Sequence, residues 1–441
     1  MKRFKSAFPI VLLITTLVLT SCKDDKVDGE WFTPVSNQPN ILLVIADDVG
    51  IEAFPGYNIG AVKPNMPHLE ALAKDGVTFD NFWSYPICSP TRATILSGKY
   101  GYNSGVLDVG DFGTIKADEK TLHQHIDDIT GNAYSHSIIG KWHLSTREPN
   151  RPTQMGIGYY AGLLTGAVQD YNSWQFTENG QTTTSTEYVT SKFTDLAIDW
   201  INNQDKPWFC WLAYTAPHTP FHLPPDSMHA QGNLPSDQAS IDANPLPYYM
   251  AMIESVDHEL GRIMDNIPSD ELDNTIIIFI GDNGSPGQVV QAPFVSNKAK
   301  GTLYQGGINT PLIVSGVGID GASSREAALV GSVDLFATIG ELLGSNATQY
   351  EDSYSFAGLL DNSRSDQRAF NYSEVHNDAP NRSGYTIRNS TYKLIEFDGG
   401  NRRFYNLNED PYELNNLINN LSSADQKALS ELEDEAARIR G

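Results

Sequence analysis

The sequence predicts an α/β protein: a large mixed, mostly parallel sheet flanked by helices, followed by a smaller C-terminal antiparallel sheet with a helix. Three observations predict it. Apolar runs rich in β-branched and aromatic residues each stop abruptly at a polar cluster, helical patterns separate those runs, and the last stretch switches to short strands joined by turn residues. Continuous apolar runs suit strands covered on both faces, and strands alternating with helices argue for a parallel type of sheet.

The first run, residues 40–46, ends at Asp47 and Asp48. Residues 66–74 carry leucine and alanine at helical spacing, with Gly76 as a stop. Cys88-Ser89-Pro90-Thr91-Arg92 then opens a short helix, in which Pro90 fits the first position and Gly98 the end. A helix N-terminus directs bare N–H groups at an anion, and Arg92 one turn on adds positive charge. The second run, 135–139, enters Gly140-Lys141-Trp142-His143. After a helical pattern over 188–201, the third run, 208–214, enters Pro217-His218-Thr219-Pro220, with His222 a turn beyond. After another over 248–267, the fourth run, 275–280, enters Gly281-Asp282-Asn283-Gly284, and Lys300-Gly301-Thr302 follows in a glycine-bearing loop. Residues 384–388 and 391–397 read as a hairpin, 403–407 as a third strand, and 422–440 as a helix capped by Ser422 or Ser423.

At 441 residues, with 40 % hydrophobic and 19 % charged residues, the chain is globular and long enough for more than one domain. The net charge of −24 excludes nucleic acid and anionic membrane as counterion-driven partners, but not an anionic group held in a local positive pocket. Lys2, Arg3 and Lys5 followed by the apolar stretch 8–20 form a secretory signal. Leu19-Thr20-Ser21-Cys22 resembles the bacterial lipobox, which implies cleavage before Cys22 and lipid attachment to its thiol; an ordinary signal peptide is the alternative. The expectation is an exported bacterial lipoprotein, periplasm-facing or on the outer-membrane surface. The division expected is signal peptide 1–21, tether 22–39, catalytic α/β domain 40–365 and C-terminal α+β subdomain 366–441. Of the three cysteines, Cys210 lies in an apolar strand and reads as packing; a Cys88–Cys210 disulfide is the competing reading.

All four polar clusters fall at carboxyl ends of strands, where open α/β sheets gather ligands. Asp47, Asp48, Asp282 and Asn283 offer hard oxygen donors, which suit Ca²⁺ or Mg²⁺ rather than Zn²⁺. Singly, each pair reads as a cap or a turn; two pairs at matching strand ends favour a metal. Arg92, Lys141 and Lys300 would neutralise an oxyanion, and His143 and His218 would titrate within the site. His222 is a further candidate for lining that pocket.

The ordered set Cys-x-Pro-x-Arg, Gly-Lys-Trp-His, Pro-His-Thr-Pro, Gly-Asp-Asn-Gly and Lys-Gly-Thr-x-Tyr-x-Gly-Gly resembles the type I, formylglycine-dependent sulfatases of the alkaline-phosphatase-like superfamily. The match extends to Asp410-Pro411-Tyr412-Glu413. The resemblance implies that a formylglycine-generating or maturase enzyme oxidises Cys88 to formylglycine, whose hydrate is the nucleophile. It implies one Ca²⁺ on Asp47, Asp48, Asp282 and Asn283, and a role for Arg92 in stabilising the hydrate. Lys141 and Lys300 match sulfate-binding lysines, His218 the group that protonates the leaving oxygen, and His143 the base that expels sulfate. Gln305 and Asn309 stand where the family commonly has Glu and Arg, which bears on loop geometry. The function expected is hydrolysis of sulfate esters on sulfated carbohydrates. Alternatives are an arylsulfatase, a phosphate or phosphonate monoester hydrolase of the same superfamily, or a non-catalytic sulfated-glycan-binding lipoprotein if Cys88 stays a thiol.

Overall fold

The structure is a computed structural model that describes residues 38–441 except 146, 147, 322, 366, 367 and 378. The signal segment, Cys22 and nearly all of the tether lie outside the described residues. Ten strands build one sheet: β1 (Asn40–Ala46), β2 (Val77–Trp83), β3 (Ser135–Lys141), β4 (Tyr159–Leu163), β5 (Trp174–Glu178), β6 (Gln181–Ser185), β7 (Trp208–Ala213), β8 (Thr275–Gly281), β9 (Leu312–Gly316) and β10 (Ser324–Gly331). Their order is β10-β2-β9-β8-β1-β7-β3-β4-β5-β6. The pairings from β8 through β1, β7 and β3 to β4 are parallel. Antiparallel β9 and the β5–β6 hairpin make the sheet mixed.

The apolar runs form strands because both faces are covered. In β1, Leu42 and Val44 enter one core layer, while Ile41, Leu43 and Ile45 enter the other. β7 divides likewise, with Cys210 on the first side and Phe209 and Trp211 on the second. Helices Val189–Asn202 and Leu246–Asn266 cover the first face; helices Cys88–Ser97, Leu122–Thr130 and Leu335–Leu342 cover the second. The expected runs reappear within one or two residues. The stretch 159–181, without a reading in the sequence, supplies β4, β5 and the first residue of β6.

A two-stranded ribbon, β11 (Gln349–Tyr350) and β12 (Ser353–Tyr354), precedes an antiparallel sheet of β13 (Asn371–Val375), β14 (Gly384–Arg388), β15 (Tyr392–Phe397) and β16 (Arg402–Asn406). One face of this sheet, with Ile387, Leu394 and Phe404, packs on Leu429, Leu432 and Ala436 of the terminal helix Ser423–Arg440. Ser422 caps that helix, its side chain accepting from Asp425 N. The other face, with Ile395, Phe397, Tyr405 and Leu407, packs on Leu303 and on Ile87, the residue before Cys88. The small sheet is therefore built onto the rim of the large one.

Gly140 marks where fold and site meet. Its φ is +107°, and a Cβ there would stand 2.0 Å from Ala213 O. Gly131 also has positive φ, +63°, but open space around it. Gly140→Ala should lower stability by about 2–5 kcal/mol, through left-handed strain plus overpacking, and Gly131→Ala by only about 1–2 kcal/mol. Equal losses for both variants in denaturant titrations would contradict this account of the β3–β7 junction.

Candidate active site

The parallel order β8-β1-β7-β3 places four strand ends side by side, and each delivers part of one cluster. β1 leads into Asp47 and Asp48, β8 into Asp282 and Asn283, β3 ends on Lys141 with His143 two residues on, and β7 leads to His218. Asp48 and His143 turn sharply, with φ of +75° and +55°. Such backbone is costly outside glycine and persists where the surroundings hold it.

Opposite these strand ends stands the helix Cys88–Ser97. It begins at Cys88, so Pro90 occupies its third position rather than the expected first, and Gly98 closes it at φ +68°. Thr91 ties the helix to the acidic cluster. Its Oγ1 donates to Asp282 O at 2.7 Å and accepts from Tyr85 N at 2.9 Å. Ser89 Oγ donates to His143 O at 2.8 Å. Cys88 Sγ lies 3.1 Å from His143 Nδ1, and within 4.8 Å of ligand atoms on Asp47 and Asp282. Cys88 and Cys210 are both free thiols, so the disulfide reading falls. Burial raises the Cys88 thiol above its ordinary value, although Lys141 opposes this. The group is a neutral thiol, not a thiolate nucleophile.

Three ion pairs bind the cluster. Arg92 Nη2 donates to Asp282 Oδ2 at 2.8 Å, and Nη1 to Lys141 O at 2.8 Å. Lys141 Nζ donates to Asp47 Oδ2 at 2.5 Å, and Lys300 Nζ to Asp48 Oδ2 at 2.6 Å. Three cations thus answer three carboxylates, and all three carboxylates are at most 1 % exposed. The two adjacent aspartates titrate in opposite directions. Burial, reinforced by Asp282, pushes Asp47 well up; burial acts the same way on Asp48, but Lys300, His218 and Lys141 together carry it below its ordinary value.

The residues present suit a hard divalent cation. Asp47 Oδ1 and Asn283 Oδ1 are buried with no hydrogen-bond partner, an arrangement that costs free energy unless a ligand completes it. Both oxygens belong to the set expected from the sequence. Asp48 N donates to Asp282 Oδ1, and Asn283 Nδ2 to Asp48 Oδ1, so the donors orient one another.

Burial pushes His218 down to about 4, with Lys141 and Lys300 adding to the shift, and pushes His143 well down, helped by Lys141 and Arg92. Both rings are neutral near pH 7. His218 Nε2 lies 3.9 Å from Asp48 Oδ2, and its Nδ1 is 2.7 Å from Thr219 O. His222 does not join the cluster. Its Nε2 meets Tyr188 OH at 2.9 Å, its Nδ1 is 3.4 Å from Pro220 O, and its ring lies 4.1 Å from that of Tyr171. Its spacing from His218 is helical, but the segment is a loop, and the side chain is held by these hydrogen bonds and by the aromatic packing. Tyr171 OH in turn donates to His218 O at 2.7 Å, so this packing steadies the His218 loop.

Sequence reasoning missed several supports. Tyr249 OH donates to Asp48 O at 2.7 Å. A Cβ on Gly166 would stand 2.2 Å from the His143 ring, so that position must stay bare. Thr91 and Ser89 were within the quoted motif and share the first turn with Cys88, a usable signal; Gly166 and Tyr249 carried none. Glu413 Oε2 accepts from Gln305 N at 2.7 Å, and Lys298 Nζ donates to Glu413 O, which clamps the Lys300 loop. Gln305 Oε1 accepts from Trp83 Nε1 at 3.0 Å, so the residue found at the commonly acidic position still supports that loop.

Residues 39–345 match the model of the sulfatase family, and residues 298–440 match that of the N-sulphoglucosamine sulphohydrolase C-terminal region. The chain is 28 % identical to the uncharacterized sulfatase YdeN of Escherichia coli (strain K12) over 64 % of this chain, and it spans only 59 % of that relative's length. It is 26 % identical to the ulvan-active sulfatase of Formosa agariphila, over 97 % of this chain and 88 % of that protein. A solved structure in complex with its substrate D-glucosamine-2-N,6-O-disulfate aligns with a TM-score of 0.73 at 20 % identity, covering 92 % of this chain and 98 % of that one. At that identity the likeness speaks for the fold. With the family model covering most of the chain, from the first strand to beyond the last of the site loops, this chain belongs to the sulfatase family.

Proposed function

We propose that this protein hydrolyses sulfate esters of carbohydrates, with formylglycine made from Cys88 as nucleophile and Ca²⁺ held by Asp47, Asp48, Asp282 and Asn283. The observation that carries the proposal is the position of Cys88. Its side chain points into a carboxylate–lysine cluster and touches a neutral imidazole, while burial raises the thiol above its ordinary value. A carbohydrate substrate is supported by the glucosamine disulfate bound in the structural neighbour and by near-full-length similarity to the ulvan-active relative.

A bound divalent cation would add two positive charges to a cluster that otherwise balances at zero, which suits an anionic ester meeting an anionic nucleophile. The aldehyde hydrate would supply an oxygen nucleophile with a second hydroxyl, so that covalent attack carries its own release step. The other roles fall to the chain's own residues. Lys141 and Lys300 present ammonium groups to the sulfate oxygens from two sides. Arg92 holds Asp282 and the Lys141 carbonyl in place and lends positive charge beside residue 88. Neutral His143, next to Cys88, accepts a proton there. His218, across the cluster beside Asp48, delivers a proton to the leaving oxygen; the arriving anion favours its protonated form. Lys300 and His218 are 21 % and 15 % exposed, so the leaving group has its way out on their side.

Mass spectrometry of the peptide spanning Cys88, from protein made with a formylglycine-generating or maturase enzyme, should show an aldehyde or its hydrate. Cys88→Ala should then release no sulfate above background. An unmodified thiol in fully active protein sinks the proposal. Millimolar Ca²⁺ should raise the thermal midpoint of chelator-treated protein by several degrees, as about 2–3 kcal/mol of linkage at a hundredfold excess over Kd requires. Asn283→Ala should remove most of that rise, and a midpoint indifferent to Ca²⁺ argues against the ion. The N-terminal pattern further supports export as a lipoprotein anchored through Cys22. Cys22→Ser should move the protein from the membrane to the soluble fraction, and unchanged membrane association would refute the anchor.

A further inference from the structure

Beside the Cys88 cluster lies a cavity of about 470 Å³ that the catalytic roles leave unexplained. Lys300 lines it at one end, and Gly301 N donates to Pro86 O at 2.8 Å, which places its wall against the approach to Cys88. Its far side is made by Arg403 of β16 and by Arg382 in the turn before β14. The volume falls within the range of about 300–1,000 Å³ typical of small-ligand sites.

The charge of this cavity is unlike that of the rest of the molecule. The chain carries 54 acidic and 30 basic residues, yet the lining holds Lys300, Arg382 and Arg403 and no described carboxylate. Each of the other four described cavities includes at least one acidic residue. Arg402 spends its charge on Glu396 and Glu433. Neither Arg403 nor Arg382 has a described carboxylate within 4.0 Å; among the described residues Arg403 Nη1 donates to the carbonyl of Arg402. Strand alternation explains the contrast. Arg402 and Phe404 face the terminal helix, whereas Arg403 shares with Tyr405 the face turned to the catalytic loop. The rim is braced, since Asn401 Nδ2 donates to Asn381 Oδ1 at 2.9 Å. Tyr304 and Phe397 add aromatic surface of the kind that meets the apolar face of a sugar ring.

We infer that this cavity is a subsite for a second anionic group, so that the preferred substrate is a saccharide carrying a further sulfate or carboxylate besides the ester that is cleaved. This rests on the sulfatase reading above and narrows its substrate class. Lys300 grips the scissile sulfate, and Arg403 and Arg382 hold the further anion on the leaving-group side. Both arginines are specificity-determining residues in this scheme and take no part in bond breaking.

The test uses the matured full-length protein and sets of matched disaccharides. Within each set the backbone and the cleavable ester are constant. One arm adds a second sulfate, and the other adds a uronate carboxylate. Wild-type kcat/KM should be at least about tenfold higher for a doubly charged member, the scale of one charge-assisted contact. In Arg382→Ala/Arg403→Ala that preference should shrink to within about threefold, mainly through KM, and Arg403→Lys should restore part of it. Circular dichroism and thermal melting check that each variant is folded. Sulfate release with no preference for added charge, or a preference that survives the double variant, overturns this inference and leaves the sulfatase reading intact. No release from any member overturns both. Whichever arm shows the preference identifies the second group as sulfate or carboxylate.

Discussion

Three buried carboxylates matched by three buried or half-buried cations are the constraint on which the rest of this structure depends. Asp47 with Lys141, Asp48 with Lys300 and Asp282 with Arg92 each join distant parts of the chain, up to 252 residues apart in sequence. Any one of these charges alone in the interior would be costly to hold, and removing one partner of such a pair typically costs about 3–5 kcal/mol. The strand ends, the Cys88 helix and the Lys300 loop must therefore close on one another together. Among the described residues of the cluster, what remains unsatisfied is small and specific: one oxygen each on Asp47 and Asn283, and the Arg92 Nε. The protein balances its own charge and leaves a ligand vector open.

The small C-terminal sheet follows from the same requirement. A loop that carries Lys300 to Asp48 needs a backing, and one face of that sheet supplies it through Leu303, Tyr405 and Leu407. Glu413 adds polar anchors on Gln305 and Lys298. The sheet's other face is sealed by the terminal helix. A two-faced sheet of this kind brings side chains from near residues 380 and 400 up to the rim that carries Lys300.

Much of the fold was legible along the chain. The central strands are apolar on both faces, so their periodicity is unmistakable, and their polar ends mark the site. The peripheral strands were hidden for physical reasons. β6 is almost wholly exposed and polar, Gln181–Ser185, and its pairing with β5 is invisible to a hydrophobicity pattern. β10 is half-exposed along its first residues, and β2 is broken by partly exposed Asp80 and Asn81. In the site, the chemistry-bearing residues stood in motifs. The residues that merely hold them, Tyr249 under Asp48 and bare Gly166 beside His143, belong to no local pattern.

The sequence by itself determined which residue types were available and in what order: oxygen donors after β1 and β8, a lysine and a histidine after β3, a histidine after β7, and a cysteine opening a short helix. It determined these because each sits at a local break in periodicity. Tertiary structure alone decided who meets whom. The order β8-β1-β7-β3 is a matter of lateral pairing, which hydrophobic spacing along one strand does not encode, and it brings the clusters to a single rim. The same long-range packing set His222 against the Tyr171 ring, left Cys210 a lone core thiol, and faced Arg403 towards the catalytic loop while its neighbour Arg402 faced the helix.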